Sequence, residues 1–243
     1  MPTKKKTKLP ISRPKDILKI HDQEIETWRI FKIMAEFVSG FEFISKYEKA
    51  VTFFGSARSG FKDKLYQEVT KLAYDLSKEG FAVISGGGPG VMEAANKGAY
   101  EAGGKSVGIN IKLTDSSGTE KRNQYVKEAE SFEYFFIRKT ILSFASQVYI
   151  FFPGGFGTLD ELFEIITLIQ TKKIKPIPVI LVNKEYWQPL FGWINETIYN
   201  KNKAIDKDDM NIYHLVNNAD EAFKLIKKLM QRRIAMRLYE DNI

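Results

Sequence analysis

Short, almost entirely apolar runs alternate along the chain with longer segments in which apolar residues recur at helical spacing. A strand that is buried on both faces is apolar throughout, as in a parallel sheet covered by helices. The pattern therefore predicts an α/β fold, a Rossmann-like, doubly wound and mostly parallel sheet with helices on both faces. The predicted strands cover residues 50–54, 81–85, 105–112, 147–152, 178–182 and, more weakly, 211–216.

The segments between these strands predict amphipathic helices. In 63–78, for example, Leu65, Val69, Leu72 and Leu76 fall on one face, and Gly80 ends the helix. The other predicted helices cover 22–39, 91–101, 134–146, 158–170, 186–199 and 220–239. Because no repeat or composition break interrupts the later part, we expect one nucleotide-binding α/β domain over 46–243, preceded by a helical extension, 21–45, that packs on this domain or on a second subunit.

The net charge of +7 lies almost entirely at the N-terminus. Residues 1–20 contain seven Lys or Arg side chains and one Asp, so the rest of the chain is nearly neutral. This distribution favours a basic, solvated, disordered tail over a nucleic-acid-binding surface, although a tail that contacts RNA stays an alternative.

Composition excludes several other classes of function. The chain has no cysteine and two histidines, which excludes disulfides and thiolate chemistry and argues against a multi-histidine metal site. No apolar run approaches the roughly 20 residues of a membrane helix, and no secretory signal is evident, so a cytoplasmic protein is expected.

Three glycine-bearing loops directly follow predicted strands: GSAR at 55–58, GGGPG at 86–90 and PGGFGT at 153–158. The carboxyl ends of parallel strands share one edge of a sheet, so these loops should meet there. Backbone N–H groups of such a loop, with the helix N-terminus that follows, form an anion site that commonly takes phosphate. GGGPG alone could be a tight turn with Pro89 starting a helix, but its pairing with PGGFGT favours a shared nucleotide site.

Two familiar nucleotide-binding fingerprints do not fit. A dinucleotide GxGxxG placed on Gly86 requires a glycine where Val91 stands. The GGKS segment at 103–106 resembles the end of a P-loop, yet its first glycine would fall on Ala99, and it precedes a strand. The sequence thus supports neither an NAD enzyme nor a P-loop NTPase.

Glu161 places a carboxylate beside the predicted phosphate loop, which is unexpected for a protein that merely binds phosphate. The spacing of Thr158 and Glu161 also matches a capping box, and spacing alone favours that structural role. Arg138 could be a solvated helix charge, but its apolar neighbours, including Phe135 and Ile141, leave little exposed surface on the segment.

Three segments together resemble the LOG family: SGGGPGVMEAANKGA at 85–99, FFIRK at 135–139 and PGGFGTLDE at 153–161. Its members are often labelled lysine decarboxylases, although nothing in this sequence indicates a pyridoxal phosphate site. The resemblance implies a hydrolase, a phosphoribohydrolase that cuts a nucleoside 5′-monophosphate (AMP, as in an AMP nucleosidase, or a cytokinin riboside monophosphate) into free base and ribose 5-phosphate. It also implies no cofactor, no metal and a homodimer or higher homo-oligomer.

The resemblance assigns roles to individual positions. Arg138 and Glu161 match the catalytic arginine and glutamate of the family. The N-terminal extension, and Glu93 in place of a glycine near the base pocket, set this chain apart from the short plant-like members and place it nearer the longer bacterial branch. The candidate nucleotide- and phosphate-binding residues, including those of the first two glycine loops, are Gly55, Ser56, Gly87, Gly88, Met92, Glu120, Lys139, Gly154, Gly155, Gly157, Thr158 and Thr167.

Three functions therefore compete. The first is the hydrolase, which the pairing of Glu161 with Arg138 favours. The second is a non-catalytic carrier that holds a nucleotide-like cofactor on the same fold. The third is a nucleic-acid-binding protein that uses its tail; deleting residues 1–20 should then abolish nucleic-acid binding and leave AMP hydrolysis intact.

Overall fold

The structure, a computed structural model, describes residues 27–58, 63–112 and 122–240. Within these residues seven parallel strands form one sheet in the order β4-β3-β2-β1-β5-β6-β7. The predictions for the tail 1–20, for the start of the first helix and for Glu120 lie outside the described residues. The strands are β1 Ala50–Phe54, β2 Ala82–Ser85, β3 Ser106–Ile111, β4 Glu128–Phe132, β5 Val148–Phe151, β6 Val179–Val182 and β7 Tyr213–Val216.

Helices connect the strands and cover both faces of the sheet, which confirms the predicted doubly wound architecture. The C-terminal part of the predicted helix 186–199 is a π-helix, Ile194–Lys201, and a short 3₁₀ helix, Lys207–Asn211, precedes β7. The α-helices are α1 Thr27–Ser45, α2 Asp63–Lys78, α3 Val91–Glu101, α4 Phe135–Phe144, α5 Phe156–Gln170, α6 Lys184–Trp193 and α7 Ala219–Glu240.

One strand, β4, was not predicted from the sequence. The edge strand β4 carries Glu128 and Glu130 and exposes part of its surface, so it lacks the continuous apolar run of a central strand. Charged residues on an edge strand discourage pairing with another chain, which explains the polar sequence. Strand β1 has its predicted bounds, and the other five predicted strands are each one or two residues shorter than predicted.

Alternate side chains of each central strand enter two separate cores. In β1, Ala50 and Phe54 belong to the core beneath α1, α4, α5 and α6, whereas Val51 and Phe53 belong to the core beneath α2, α3 and α7. Both cores are apolar and nearly inaccessible to solvent, so the sheet is a rigid platform for the loops at its edge.

The N-terminal helix α1 continues to Ser45, past its predicted end near residue 39. Its inner face packs on α4, with ring centroids of Phe37 and Phe136 6.3 Å apart. Its outer face leaves Trp28 and Val38 more than half exposed. Among the described helices, none combines the length and apolar character that crossing a membrane requires.

The order of the strands reverses between β1 and β5. The chain runs outward from β1 through β2 and β3 to β4, then returns to place β5 on the other side of β1. The loops after β1 and β5 diverge from this point and leave a crevice at the carboxyl ends of the strands, where ligands bind in open α/β sheets.

Candidate active site

A cavity of about 320 Å³ opens at this crevice. All three predicted glycine loops contribute to its wall, together with α4 and the first turns of α5. The described residues that line it are Phe53, Phe54, Gly55, Ser56, Ala57, Arg58, Gly86, Met92, Phe135, Arg138, Leu142, Gly155, Gly157, Thr158 and Glu161.

The first glycine loop is hydrogen-bonded to the third loop and to Val91, the residue that directly follows the second loop. The Ser56 N–H donates to the Pro153 carbonyl oxygen at 3.1 Å, and the Val91 N–H donates to the Ser56 carbonyl oxygen at 3.0 Å. Gly90 has a φ of +70°, and a Cβ there would lie 2.3 Å from the Ser56 oxygen, so only glycine permits this approach. The predicted meeting of the three loops is confirmed.

The capping-box interpretation of Thr158 and Glu161 is wrong. Helix α5 begins at Phe156 with Gly155 as its N-cap, and the Thr158 N–H donates to the Gly155 carbonyl oxygen at 3.0 Å. Thr158 is therefore the third residue of the helix, because the glycine-rich segment enters the first turn earlier than the polar side chain suggested. Glu161 lies a full turn inside α5, where a bond back to a cap is out of reach.

Glu161 is a buried acid on the cavity wall. Its side chain is 6% exposed, and its Oε2 atom has no hydrogen-bond partner among the described residues. Burial raises the pKa of the Glu161 carboxyl to about 8; Glu164 acts in the same direction, Lys139 and Arg138 oppose the rise, and Asp160 adds to it slightly. The carboxyl therefore gains or loses its proton near neutral pH, which suits a group that takes part in chemistry.

Arg138 is held by a residue within β3 and by the residue that follows β2. Its Nε donates to the Ile109 carbonyl oxygen at 2.8 Å, and one terminal nitrogen donates to the Gly86 carbonyl oxygen at 3.5 Å. The guanidinium carbon also lies 6.0 Å from the centroid of the Phe135 ring. A fixed positive charge thus faces the same cavity as Glu161, as the two were predicted to do.

Five of the predicted binding residues lie off the cavity wall formed by the described residues. Lys139 forms ion pairs with Asp160 and Glu164, and Thr167 is exposed on α5. The Gly87 and Gly88 carbonyl oxygens accept from Asn123 Nδ2 at 3.1 and 2.9 Å, so this part of GGGPG is held by a buried amide. Gly154 belongs to the third loop but is not part of this wall, and its carbonyl oxygen accepts from the Tyr186 hydroxyl at 2.5 Å.

Sequence reasoning missed several residues of the site. Arg58 lines the cavity, and its position in GSAR, directly after a strand, was a signal that could have found it. Phe135 and Leu142 form an apolar part of the wall, and the FFIRK motif pointed to the first of these. Tyr186 lies on α6, far from the third loop in sequence, and no local sequence pattern predicts its contact with that loop.

Comparison with known proteins agrees with this geometry. The sequence model of a family described as "Possible lysine decarboxylase" matches residues 92–226, more than half of the chain. The chain is 30% identical over 190 residues to cytokinin riboside 5′-monophosphate phosphoribohydrolase LOG5 of Arabidopsis thaliana, covering 76% of this chain and 78% of that protein. The chain belongs to the LOG family. A second relative from the same plant, cytokinin riboside 5′-monophosphate phosphoribohydrolase LOG1, is 29% identical over 192 residues. The match covers 77% of this chain and 85% of that protein.

Two solved structures share the fold of this chain. The molybdenum cofactor carrier protein of Chlamydomonas reinhardtii superposes with a TM-score of 0.56 at 19% identity, over 75% of this chain and 98% of that chain. The molybdenum cofactor binding protein of Rippkaea orientalis gives a TM-score of 0.54 at 24% identity, over 75% and 98%. At these identities the likeness establishes a shared Rossmann-like architecture.

Proposed function

We propose that this protein is a phosphoribohydrolase that cleaves the N-glycosidic bond of a nucleoside 5′-monophosphate, releasing free base and ribose 5-phosphate. The names of its plant relatives support the reaction, with a cytokinin riboside monophosphate as substrate; we extend it to AMP. The observation that carries the proposal is a buried carboxyl oxygen of Glu161 that has no hydrogen-bond partner within the described part of the chain, on the wall of a cavity built from three phosphate-type loops.

The 5′-phosphate fits the N-terminus of α5. Gly155 and Gly157 line the cavity there, and the dipole of the helix favours an anion at this end. Ser56, on the adjoining loop, supplies a hydroxyl within the same wall. Phosphate binding is remote from the bond that breaks, so it can orient the ribose without stabilising the ground state at the reacting carbon.

Glu161 then acts on the sugar. As the bond from C1′ to the base breaks, its electron pair leaves with the base and the ribose gains oxocarbenium character. An ionised Glu161 stabilises that positive charge or orients the water that adds to C1′; the water loses a proton and the departing base gains one, so the products balance. Arg138, fixed by two backbone carbonyls, favours the ionised form of Glu161.

A panel of nucleoside 5′-monophosphates, with free base and ribose 5-phosphate measured by chromatography, tests the proposal. Wild-type protein should release base from at least one member of the panel. Glu161→Gln keeps the size of the side chain and should lower the rate by on the order of 10²–10³. Glu185→Gln, an exposed residue in the first turn of α6, is the matched control and should keep wild-type activity.

The carrier alternative gives a different result in the same experiment. A protein that binds a mononucleotide with micromolar affinity and releases no base from any member would be a receptor, and the hydrolase would be wrong. Base release that is unchanged in Glu161→Gln would likewise remove Glu161 from the chemistry.

We also propose that the protein is a homodimer or higher homo-oligomer. The exposed apolar stripe of α1, with Trp28 at 75% and Phe31 at 54%, supports association, because monomeric proteins rarely leave contiguous apolar surface of this kind. Light scattering after size-exclusion chromatography measures the mass. A monomeric mass at micromolar concentration would contradict this part of the proposal.

A further inference from the structure

Helix α4, which carries Arg138, lacks a cap of its own among the residues that the structure describes. The helix begins at Phe135 with Tyr134 as its N-cap, and the Tyr134 side chain makes no capping hydrogen bond. The first turn of α4 also contains no acidic residue to complement the helix dipole. Backbone N–H groups at this end therefore need an acceptor from elsewhere in the fold.

Glu36, on the N-terminal helix α1, supplies that acceptor. Its Oε1 atom accepts from the Glu133 N–H at 2.7 Å, and its Oε2 atom accepts from the Tyr134 N–H at 3.3 Å. One carboxylate thus bridges two consecutive N–H groups directly before α4, although 97 and 98 residues of sequence separate them from it. Its negative charge also interacts favourably with this end of the helix dipole.

The backbone of Arg138 closes the same turn. The Arg138 N–H donates to the Tyr134 carbonyl oxygen at 3.2 Å. Tyr134 therefore bonds to Glu36 through its N–H and to Arg138 through its carbonyl group. A single residue connects the carboxylate of α1 to the arginine whose side chain lines the cavity.

We propose that Glu36 is a positioning residue that acts through Tyr134 on Arg138. Without this carboxylate the start of α4 loses both acceptors, and the two cavity-lining residues of its first turns, Phe135 and Arg138, lose a fixed origin. The N-terminal extension is then a part of the structure that sets the site. The kinetic consequence of this inference rests on the proposed hydrolase, whereas the structural consequence does not.

Close packing along α4 gives Glu36 a fixed place. A Cβ at Gly40 would lie 2.7 Å from the Ile141 side chain, so any larger residue there would push Ile141 aside. Farther along, the ring centroids of Phe41 and Phe144 lie 6.0 Å apart. Since α1 is held against α4 from its start to its last residue, the position of the Glu36 carboxylate relative to the first turn is defined.

Two variants of Glu36 and a matched control make the test. Glu36→Ala removes both acceptors, whereas Glu36→Gln keeps one carbonyl oxygen and loses the charge. The control is Glu221→Ala: Glu221 accepts from the Asn217 N–H at 2.8 Å at the start of α7, a helix that adds no residue to the described wall of the cavity. Both alanine variants remove a glutamate from a helix start, so both should lower the melting temperature by a similar amount, about 2–4 °C.

NMR measures the position of Arg138 without any catalysis. The Nε–H of Arg138 donates to the Ile109 carbonyl oxygen at 2.8 Å, and its ¹⁵N–¹H signal is sensitive to that bond. Arg138→Lys assigns the signal. Glu36→Ala should shift or broaden it, Glu36→Gln should shift it by less, and Glu221→Ala should leave it in place. An unmoved signal in Glu36→Ala would overturn the inference.

Kinetics separate positioning from a role in stability alone. At a temperature where every variant is folded, Glu36→Ala should lower kcat by on the order of tenfold, because a displaced active-site group costs rate. KM for the nucleotide should change by less than about twofold, since the phosphate site on α5 is untouched. Glu36→Gln should recover part of kcat. A merely structural cap would lower the melting temperature and leave kcat at the wild-type value, as Glu221→Ala should, which would contradict positioning.

The outcomes remain distinct if the proposed reaction itself fails. If wild-type protein releases no base from any nucleotide, the hydrolase is wrong, and the NMR signal still decides whether Glu36 positions Arg138. If Glu36→Ala does not fold, as judged by circular dichroism, Glu36→Gln alone decides. A folded Glu36→Gln protein with the wild-type Arg138 signal would then overturn the inference.

Discussion

The hydroxyl of Tyr186 donates to the carbonyl oxygen of Gly154 at 2.5 Å, which ties helix α6 to the glycine loop that precedes α5. The next residue, Trp187, anchors this contact: it is fully buried and its indole N–H donates to the Val182 carbonyl oxygen at 3.0 Å. The ring centroids of Tyr186 and Trp187 lie 4.9 Å apart, edge to face. The conformation of the proposed phosphate loop therefore depends on a helix from the next βα unit.

Tyr186→Phe should weaken substrate binding. The change removes the hydrogen bond to Gly154 and keeps the ring, so the loop loses a constraint worth about 1 kcal/mol. We expect KM for the nucleotide to rise several-fold, with kcat changed by less than about twofold. Steady-state kinetics measure both; Tyr100→Phe, on the exposed surface near the end of α3, serves as control. An unchanged KM would show that the loop holds its shape without α6.

Gly157→Ala should separate binding from stability. No described atom lies within 4 Å of a Cβ at Gly157, and the residue sits in the first turn of α5, so alanine fits the fold and favours the helix by up to about 1 kcal/mol. Gly157 lines the cavity, so on the proposed function the added methyl group should take space that the phosphate needs. We expect unchanged or higher resistance to urea, together with at least a tenfold higher KM.

The matched control for Gly157→Ala is Gly192→Ala. A Cβ at Gly192, in α6, also meets no described atom within 4 Å, and this glycine does not line the cavity. It should gain similar stability and keep the wild-type KM. Equal KM values in the two variants would place the phosphate elsewhere.

Activity should rise with pH through the titration of Glu161. Burial raises the pKa of this carboxyl to about 8, and the proposed role needs its ionised form. Below that pH, kcat/KM should fall by up to tenfold for each pH unit, since the ionised fraction falls in proportion. Profiles of kcat/KM from pH 5 to 10 measure this rise in activity. An ascending limb near pH 4.5, the ordinary value for a glutamate, would mean that Glu161 ionises like a solvated acid.

Glu161→Gln should remove a pH dependence of stability. The folded-state pKa of Glu161, about 8, exceeds its ordinary value of 4.5, so the unfolded state binds fewer protons between these values. The stabilisation is complete below pH 4.5 and is lost as pH rises through 8. The free energy of unfolding of wild type should therefore fall below that of the variant as pH rises. The difference between the two should change by on the order of a few kcal/mol from pH 5 to pH 8.5.

Urea titrations of both proteins at each pH measure that gain. Glu185→Gln, an exposed glutamate, should follow the wild-type curve. Parallel curves for wild type and Glu161→Gln across this range would contradict the burial-induced rise in pKa.

Sequence patterns predicted what depends on local chemistry. Apolar runs located the central strands, because both faces of each strand are buried, and glycines after three strands located the loops that line the cavity. Sequence patterns gave wrong predictions where the same residues fit more than one local structure. Thr158 and Glu161 have the spacing of a capping box, yet the helix begins at Phe156 with Gly155 as its N-cap, so Thr158 already lies in the first turn. The edge strand β4 was missed because Glu128 and Glu130 interrupt its apolar character.

Contacts between distant helices lie beyond sequence patterns. The FFIRK motif marked Lys139 as a candidate, but its pairing with Asp160 and Glu164 depends on the distance between α4 and α5. Tyr186 and Asn123 reach the glycine loops from segments that carry no motif. Such contacts decide the shape and charge of the site, and the three-dimensional structure is needed to find them.

The placement of β5 beside β1 constrains the order in which the protein can assemble. Val51 pairs with Val148, so one edge of the first strand stays open while most of the first half of the sheet is synthesised. Long-range parallel pairing of this kind is slow, because closing a large loop costs entropy before any contact forms. A nascent chain released before β5 would expose an apolar strand edge to aggregation and would lack the glycine loop of the pocket altogether.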